Sequence, residues 1–463
     1  MTFHSIPFFI LFIVTYTLVK IVKDHNARLW ILLIASYVFY AYWDVRFLFL
    51  MILVEYVSFA VAKKISVTRQ RGPLLVGIIF SLSILGVFKY LNFFVEQFET
   101  ILGHPMAKHF EIGLPIGISF YIFQAMSYMI DVYRGRITAR ERFRDVSLYI
   151  SFFPQLVAGP IVRAQDFMPQ LDRDMELTAD NLYKGLQIFL WGLFKKVVVA
   201  DRLAVCVDAV WASPGVYSTA SVWCAAISYM LQILCDFSGY SDMAIGIARM
   251  FGFYFPVNFD LPYISQNPTD FWRRWHISLS TWLRDYLYIP MGGNRKGEVH
   301  TYVNLMLTML LGGLWHGANW TFVVWGGCHG AALVAHKLFT KHNKAVGAHN
   351  TGIFTDLINI VLTDLFVVLC WVIFRSQDLV SALLILRRLF IPCSGIFYIY
   401  TYTVVFVILA VLFYILAKRK GDHLEYSFLD LSKGVHIFIL FLFIWIIAIF
   451  GYFGSNAFIY FRF

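Results

Sequence analysis

Long apolar runs separated by short polar clusters recur along the chain from its first residues to its last. Runs of about 17 to 25 apolar residues are the length that crosses a bilayer as helix. The pattern predicts an all-α polytopic integral membrane protein. It should carry about ten to twelve transmembrane or re-entrant helices, with interfacial amphipathic helices beside them. The first spans fall near 6–22, 29–45, 47–62, 73–95 and 114–133. The first run follows only Met1 to Ser5, without a positive leader, and its far flank carries Lys20, Lys23 and Arg28. That arrangement predicts a retained first helix rather than a cleaved signal, and an N-terminus outside the cytoplasmic membrane. Loop charges agree. The loops then assigned to the inside hold Lys63, Lys64, Arg69 and Arg71, and later Arg134, Arg136, Arg140, Arg142 and Arg144, whereas the outside loop 96–112 holds Glu96, Glu99 and Glu111.

We expect one membrane domain over 1–463: plain helices to 112, a functional core over 113–340, and further helices over 341–463. The core is dense in Gly, Pro, Trp, Tyr and isolated charges. Pro115, Pro154 and Pro160 each lie near a glycine and should break helices, and broken helices are tolerated at membrane depth only where they line a cavity or are buried in protein. Within residues 271–288, Trp272, Trp275, Leu279, Trp282, Leu283 and Tyr286 recur at helical spacing, with Arg273, Arg274, Thr281, Arg284 and Asp285 off the stripe. The spacing predicts a helix lying in the interface on the cytoplasmic side, with His276 at the margin of its apolar face.

Composition sharpens the class. The 463 residues are 59% hydrophobic, 18% aromatic and only 14% charged, and the mean hydropathy is +0.68, outside the soluble range. The net charge of +10 fits topology and contact with the anionic inner leaflet, a lipid bilayer partner, better than nucleic-acid binding. Six cysteines without CxxC spacing give no basis for a disulfide framework or a metal site, and no bound cofactor is expected. The chain has no Walker loop, GxGxxG or GxSxG element, and no HExxH that would indicate a zinc hydrolase.

His316 stands near the middle of Val299 to His336, a stretch without Asp, Glu, Lys or Arg, in the segment GGLWHGANW. An imidazole in so apolar a setting is either hydrogen-bonded core or a used group, and desolvation would keep it a neutral base. The stretch could be two spans with His316 at their turn or one bent segment holding it near mid-membrane. His276 could equally belong to an ordinary interfacial helix, with Arg273 and Arg274 anchored to lipid phosphate or bound to a phosphate-rich ligand. Asp236 and Asp242 bracket Ser238 and Tyr240 inside an apolar run. Structural pairing with arginines is the first expectation for these acids, before ion binding or orientation of a histidine. His329 and His336 read as packing residues.

Three segments carry a resemblance: DFSGYSDMAIGIARMFG (236–252), NPTDFWRRWHISLSTWLRDYLYIPMGGNR (267–295), and GGLWHGANW (312–320) followed by WGGCHG (325–330). In this order they resemble the membrane-bound O-acyltransferase superfamily, in particular its bacterial alginate O-acetyltransferase-like branch, over about 113–340. The resemblance implies a multi-helix enzyme with two catalytic histidines, His316 and His276. It implies transfer of an acyl group from coenzyme A or an acyl carrier protein thioester to a hydroxyl. A separate extracytoplasmic, esterase-like acetyltransferase is expected as partner, at a bacterial inner membrane, with alginate, cellulose or peptidoglycan as acceptor. Arg273, Arg274 and Trp275, with Arg295 or Lys296, would hold the donor, while Trp315, Asn319, Asp236, Ser238 and Tyr240 would complete the site and Asn319 and Trp320 would orient His316. The competing class is a transporter or channel that passes an acetylated carrier without chemistry of its own.

Overall fold

The computed structural model describes residues 1–103, 113–157, 159–346, 352–420, 433–454 and 458–459. These residues form helices and connecting turns, with no β-strand among them. Helices Ile6–Ile21, His25–Ala41, Val45–Thr68 and Ile118–Tyr133 stand where the apolar runs predict them. Among the described residues, four helices are long and apolar enough to cross a membrane: Val45–Thr68, Arg71–Leu102, Thr219–Met250 and Phe354–Arg375. Shorter apolar helices cover Ile6–Ile21, Thr401–Phe413 and Ile437–Phe450. Many large side chains on them face outward, among them Ile10, Ile13, Phe49, Ile79, Phe438 and Ile444. In water that exposure would be unfavourable; in hydrocarbon it is not. The protein is an all-helical, multi-pass membrane protein.

Two compact units can be distinguished, residues 1–189 with 240–256, and residues 190–239 with 257–463. In the first unit the basic loops meet. Arg142 donates to Asn26 Oδ1 at 2.5 Å, Lys63 pairs with Glu141 at 2.6 Å, and Arg71 Nε donates to the Tyr133 hydroxyl at 3.1 Å. The three connections assigned to the inside thus share one side of this unit. The stretch 104–112, most of the loop assigned to the outside and including Glu111, lies outside the described residues.

The second unit is organised around a hairpin of Glu298–His316 and Trp320–Val346. Glycines set its closeness. A Cβ at Gly313 would strike the Phe322 carbonyl oxygen, one at Gly326 the Met309 carbonyl oxygen, and one at Gly330 would lie 2.8 Å from Met306 Sδ. Small residues at successive turns let two helix backbones touch, the usual way helices associate where burial from water contributes little. Of the two readings of the 299–336 stretch, the structure has the turn, with His316 as the last residue of the first arm.

The segment 268–295 differs from the single interfacial helix that its periodicity predicts. It is a re-entrant pair. Its first helix, Pro268–Arg274, runs beside the second hairpin arm in the opposite sense: Thr269 Oγ1 meets His336 Nδ1 at 2.9 Å, Trp272 meets His329, and His276 reaches Trp315. The chain then reverses and returns along the first arm, with Leu283 against Gly312 and the Gly293 carbonyl accepting from Asn304 Nδ2 at 3.1 Å. The predicted apolar stripe is nonetheless real. Trp275, Leu279, Trp282, Leu283 and Tyr286 are all buried, but against protein rather than lipid.

Candidate active site

His276 forms the apex of the re-entrant pair. Its backbone is left-handed, at φ 44° and ψ 55°, a region non-glycine residues enter only when their surroundings impose it. Asn258 imposes it. The Asn258 carbonyl accepts from Ile277 N at 2.9 Å, and its Oδ1 accepts from Ser278 N at 3.1 Å and Ser278 Oγ at 2.8 Å. The same Oδ1 lies 3.2 Å from His276 Nδ1. A backbone N–H can only donate, so the atom facing Ser278 N is the amide oxygen, and His276 Nδ1 must donate to it. The lone pair of His276 therefore sits on Nε2. The sequence placed His276 at the wet margin of a helix; the structure buries it completely.

Trp315 connects the two histidines, its ring 6.1 Å from His276 and 5.0 Å from His316. The His316 ring is enclosed edge-to-face by Trp315, by Trp325 at 5.1 Å and by Phe374 at 5.3 Å. Trp275 lies deeper, 4.8 Å from Trp371 and nearly parallel to Phe271. These contacts make a packed aromatic cluster at the closed end of the hairpin.

The other expected site residues separate into distinct roles. Arg274 is engaged within the fold, Nε on Asp270 at 3.1 Å and Nη1 3.7 Å from Asp260. Arg273 is exposed. Asn319 caps the second hairpin arm by accepting from Thr321 N at 2.9 Å, and its Nδ2 donates to the Gln377 carbonyl at 2.7 Å; Trp320 is largely exposed. Asp236 pairs with Lys196 at 2.6 Å, Lys196 reaches Asp201 at 2.8 Å, and Ile459 N donates to Asp236 at 2.8 Å. All three charged groups are buried, a structural pairing as the acids suggest, though through a lysine. Ser238 is buried beside them in sequence, and its neighbour Phe237 packs on His276 at 4.7 Å. Tyr240 belongs to the first unit, stacked on Phe3 at 4.5 Å. Asn258 and Lys196 had no signal in the sequence: each acts on a residue 18 or more positions away. Among the described residues no group of three or more His, Cys, Asp or Glu is placed to hold a metal.

Two buried histidines joined through Trp315, one at the reversal of a broken helix and one at the turn of the hairpin, make up the candidate site of this multi-pass helical protein. The family comparison gives it a chemistry. Residues 140–377 match the model of the membrane-bound O-acyltransferase family, and the chain belongs to that family and is an O-acyltransferase. It is 45% identical over 387 residues to the probable alginate O-acetylase AlgI of Pseudomonas syringae pv. tomato, covering 82% of this chain and 73% of that protein. It is 41% identical over 393 residues to the peptidoglycan O-acetyltransferase of Helicobacter pylori, covering 78% and 73%. Similarity at 27% identity over 304 residues extends to the teichoic acid D-alanyltransferase of Bacillus subtilis, covering 62% and 75%.

Proposed function

We propose that this O-acyltransferase moves an acetyl group from a cytoplasmic thioester, coenzyme A or an acyl carrier protein, toward hydroxyls of a cell-envelope polysaccharide. The names of the relatives support the class of acceptor: two act on alginate or peptidoglycan as O-acetyl transferring enzymes. An extracytoplasmic acetyltransferase of esterase-like chemistry completes delivery, and the protein resides in a bacterial inner membrane with its N-terminus outside. The meeting of three basic loops on one side of the first unit supports that orientation.

The observation that carries the chemistry is the pairing of His276 and His316 across Trp315. His316 takes the proton from the acceptor hydroxyl as its oxygen attacks the thioester carbonyl, then returns it to the leaving thiolate. His276 presents its Nε2 lone pair to an N–H or O–H of a bound substrate, held there by Asn258. Exclusion of water by Trp315, Trp325 and Phe374 keeps both imidazoles neutral and orients the reactants. Exposed Arg273, with Arg295 and Lys296 at the return of the re-entrant pair, receives the donor's phosphates. Arg274 holds the fold instead.

The test is thiol release from acetyl-coenzyme A by the purified protein in lipid nanodiscs supplied with alginate or peptidoglycan oligosaccharides as hydroxyl acceptors, with His316→Ala and His276→Ala alongside. Release by the natural protein, lost in His316→Ala while the variant melts as a folded species, supports the reading. Equal release from both would sink it in favour of a passive conduit.

A further inference from the structure

The hairpin arm Trp320–Val346 carries a third histidine in this neighbourhood, and its hydrogen bonding fixes a different role from that of the other two. His329 is fully buried, and Trp272 Nε1 approaches its Nδ1 at 3.3 Å. An indole N–H donates and never accepts, so Nδ1 of His329 bears the lone pair and its proton resides on Nε2. That Nε2–H has no hydrogen-bond partner among the described residues. Four residues earlier, on the same face of the helix, Trp325 presents a second buried indole N–H that also lacks a partner among them. The two rings are 4.8 Å apart, and Trp325 is 5.1 Å from His316. Buried donors without acceptors are rare, because each forfeits its hydration without recompense. Two on successive turns beside a catalytic base call for an acceptor that arrives with the substrate.

We propose that His329 Nε2–H and Trp325 Nε1–H receive the acyl carbonyl oxygen of the donor and hold the oxyanion that forms on it. The assignment rests on the acyl-transfer reading above. The acceptor oxygen bonds to the carbonyl carbon while its proton passes to His316, and the carbonyl π pair moves onto oxygen, where the two N–H groups hold it. Collapse restores the carbonyl, breaks the carbon–sulfur bond, and sends the proton from His316 to the departing sulfur as thiol. Neutral N–H donors suit this step: they stabilise charge that appears only in the transition state and bind the neutral thioester weakly beforehand. Trp272 is the positioning residue, since its donation to Nδ1 keeps the His329 proton on the side facing the acyl group. This gives the first helix of the re-entrant pair a second task besides carrying His276.

The experiment measures thiol release from acetyl-coenzyme A in nanodiscs, with the same oligosaccharide acceptors present, for His329→Phe, His329→Gln and Trp325→Phe, each checked for natural melting behaviour. Phe preserves ring packing without the donor, and Gln can accept from Trp272 while donating from its own amide. The expectation is a fall in kcat on the order of 100-fold for His329→Phe and Trp325→Phe, KM within about threefold, and recovery of most of the loss in His329→Gln. A second readout is the infrared carbonyl band of bound acetyl-coenzyme A labelled with carbon-13, in a His316→Ala background that prevents turnover. It should lie below its solution frequency and move back when His329→Phe is added. Unchanged kcat in both Phe variants overturns the assignment while leaving the acyl-transfer reading standing. A carbonyl band indifferent to His329, or a Gln variant as poor as Phe, reduces His329 to a packing residue. Natural protein that releases no more thiol than His316→Ala overturns the functional reading, and this assignment falls with it.

Discussion

Among single residues, His276 and His329 differ chiefly in what holds their Nδ1 atoms. Asn258 accepts from His276, leaving a lone pair on Nε2, whereas Trp272 donates to His329, leaving a proton there. Identical side chains in similar apolar surroundings thus present opposite hydrogen-bonding faces, and no property of the residue type foretells which. Lys196 offers an expectation for stability. Replacing it by Met strands the carboxylates of Asp201 and Asp236 in a buried site, a loss of about 3 to 5 kcal/mol, which Asp236→Asn in the same chain should partly relieve. Chemical denaturation in detergent micelles measures both.

For whole elements, glycine positions decide the hairpin. Gly313→Ala must push apart the two arms, because a methyl there meets backbone at Phe322 and Gly326, and should destabilise by about 1 to 3 kcal/mol. Gly327→Ala meets only Leu310 Cδ2 at 3.5 Å and should be neutral or slightly stabilising. Melting curves of the two variants, side by side, distinguish arm contact from a general intolerance of alanine. Asn258→Ala removes the acceptor that turns the chain at His276, and should lower both stability and thiol release while His276 itself remains. The sequence disclosed this region unevenly. The apolar stripe over 271–288 was visible. The break at His276 was not, because its cause is a side chain in the distant loop at 258, and a helical stripe looks the same whether protein or lipid covers it. The GGLWHGANW turn was legible as an ionisable group in an apolar stretch, but a stretch free of acids and strong bases does not reveal where helix stops. Gly317, extended at the end of the first arm, decides that.

For the whole molecule, the orientation is open to a direct test. Reporter fusions or single cysteines placed near Arg69 and near Arg136 should both report the cytoplasmic side, and the first residues the opposite side, in intact cells. Labelling of either loop from outside would reverse the topology assigned to the first unit. The helical, multi-pass character of the chain and its family were readable from runs of apolar residues and three ordered motifs. Its division into two compact units was not, since the helix Thr219–Met250 contributes to both and no linker marks the change.

The first hairpin arm runs 19 residues from Glu298 to His316, about 27 Å along its axis at the helical rise. Lys341 pairs with Glu298 at its polar end, and His316 closes the other. Under the acyl-transfer proposal, a thioester received at the polar end would have that length to cover before reaching His316, a span suited to a slender flexible tether and not to a group fixed directly to a folded surface. Extending both arms by one turn, about 5 Å, would leave every reacting group intact and should lower transfer from a tether of fixed length.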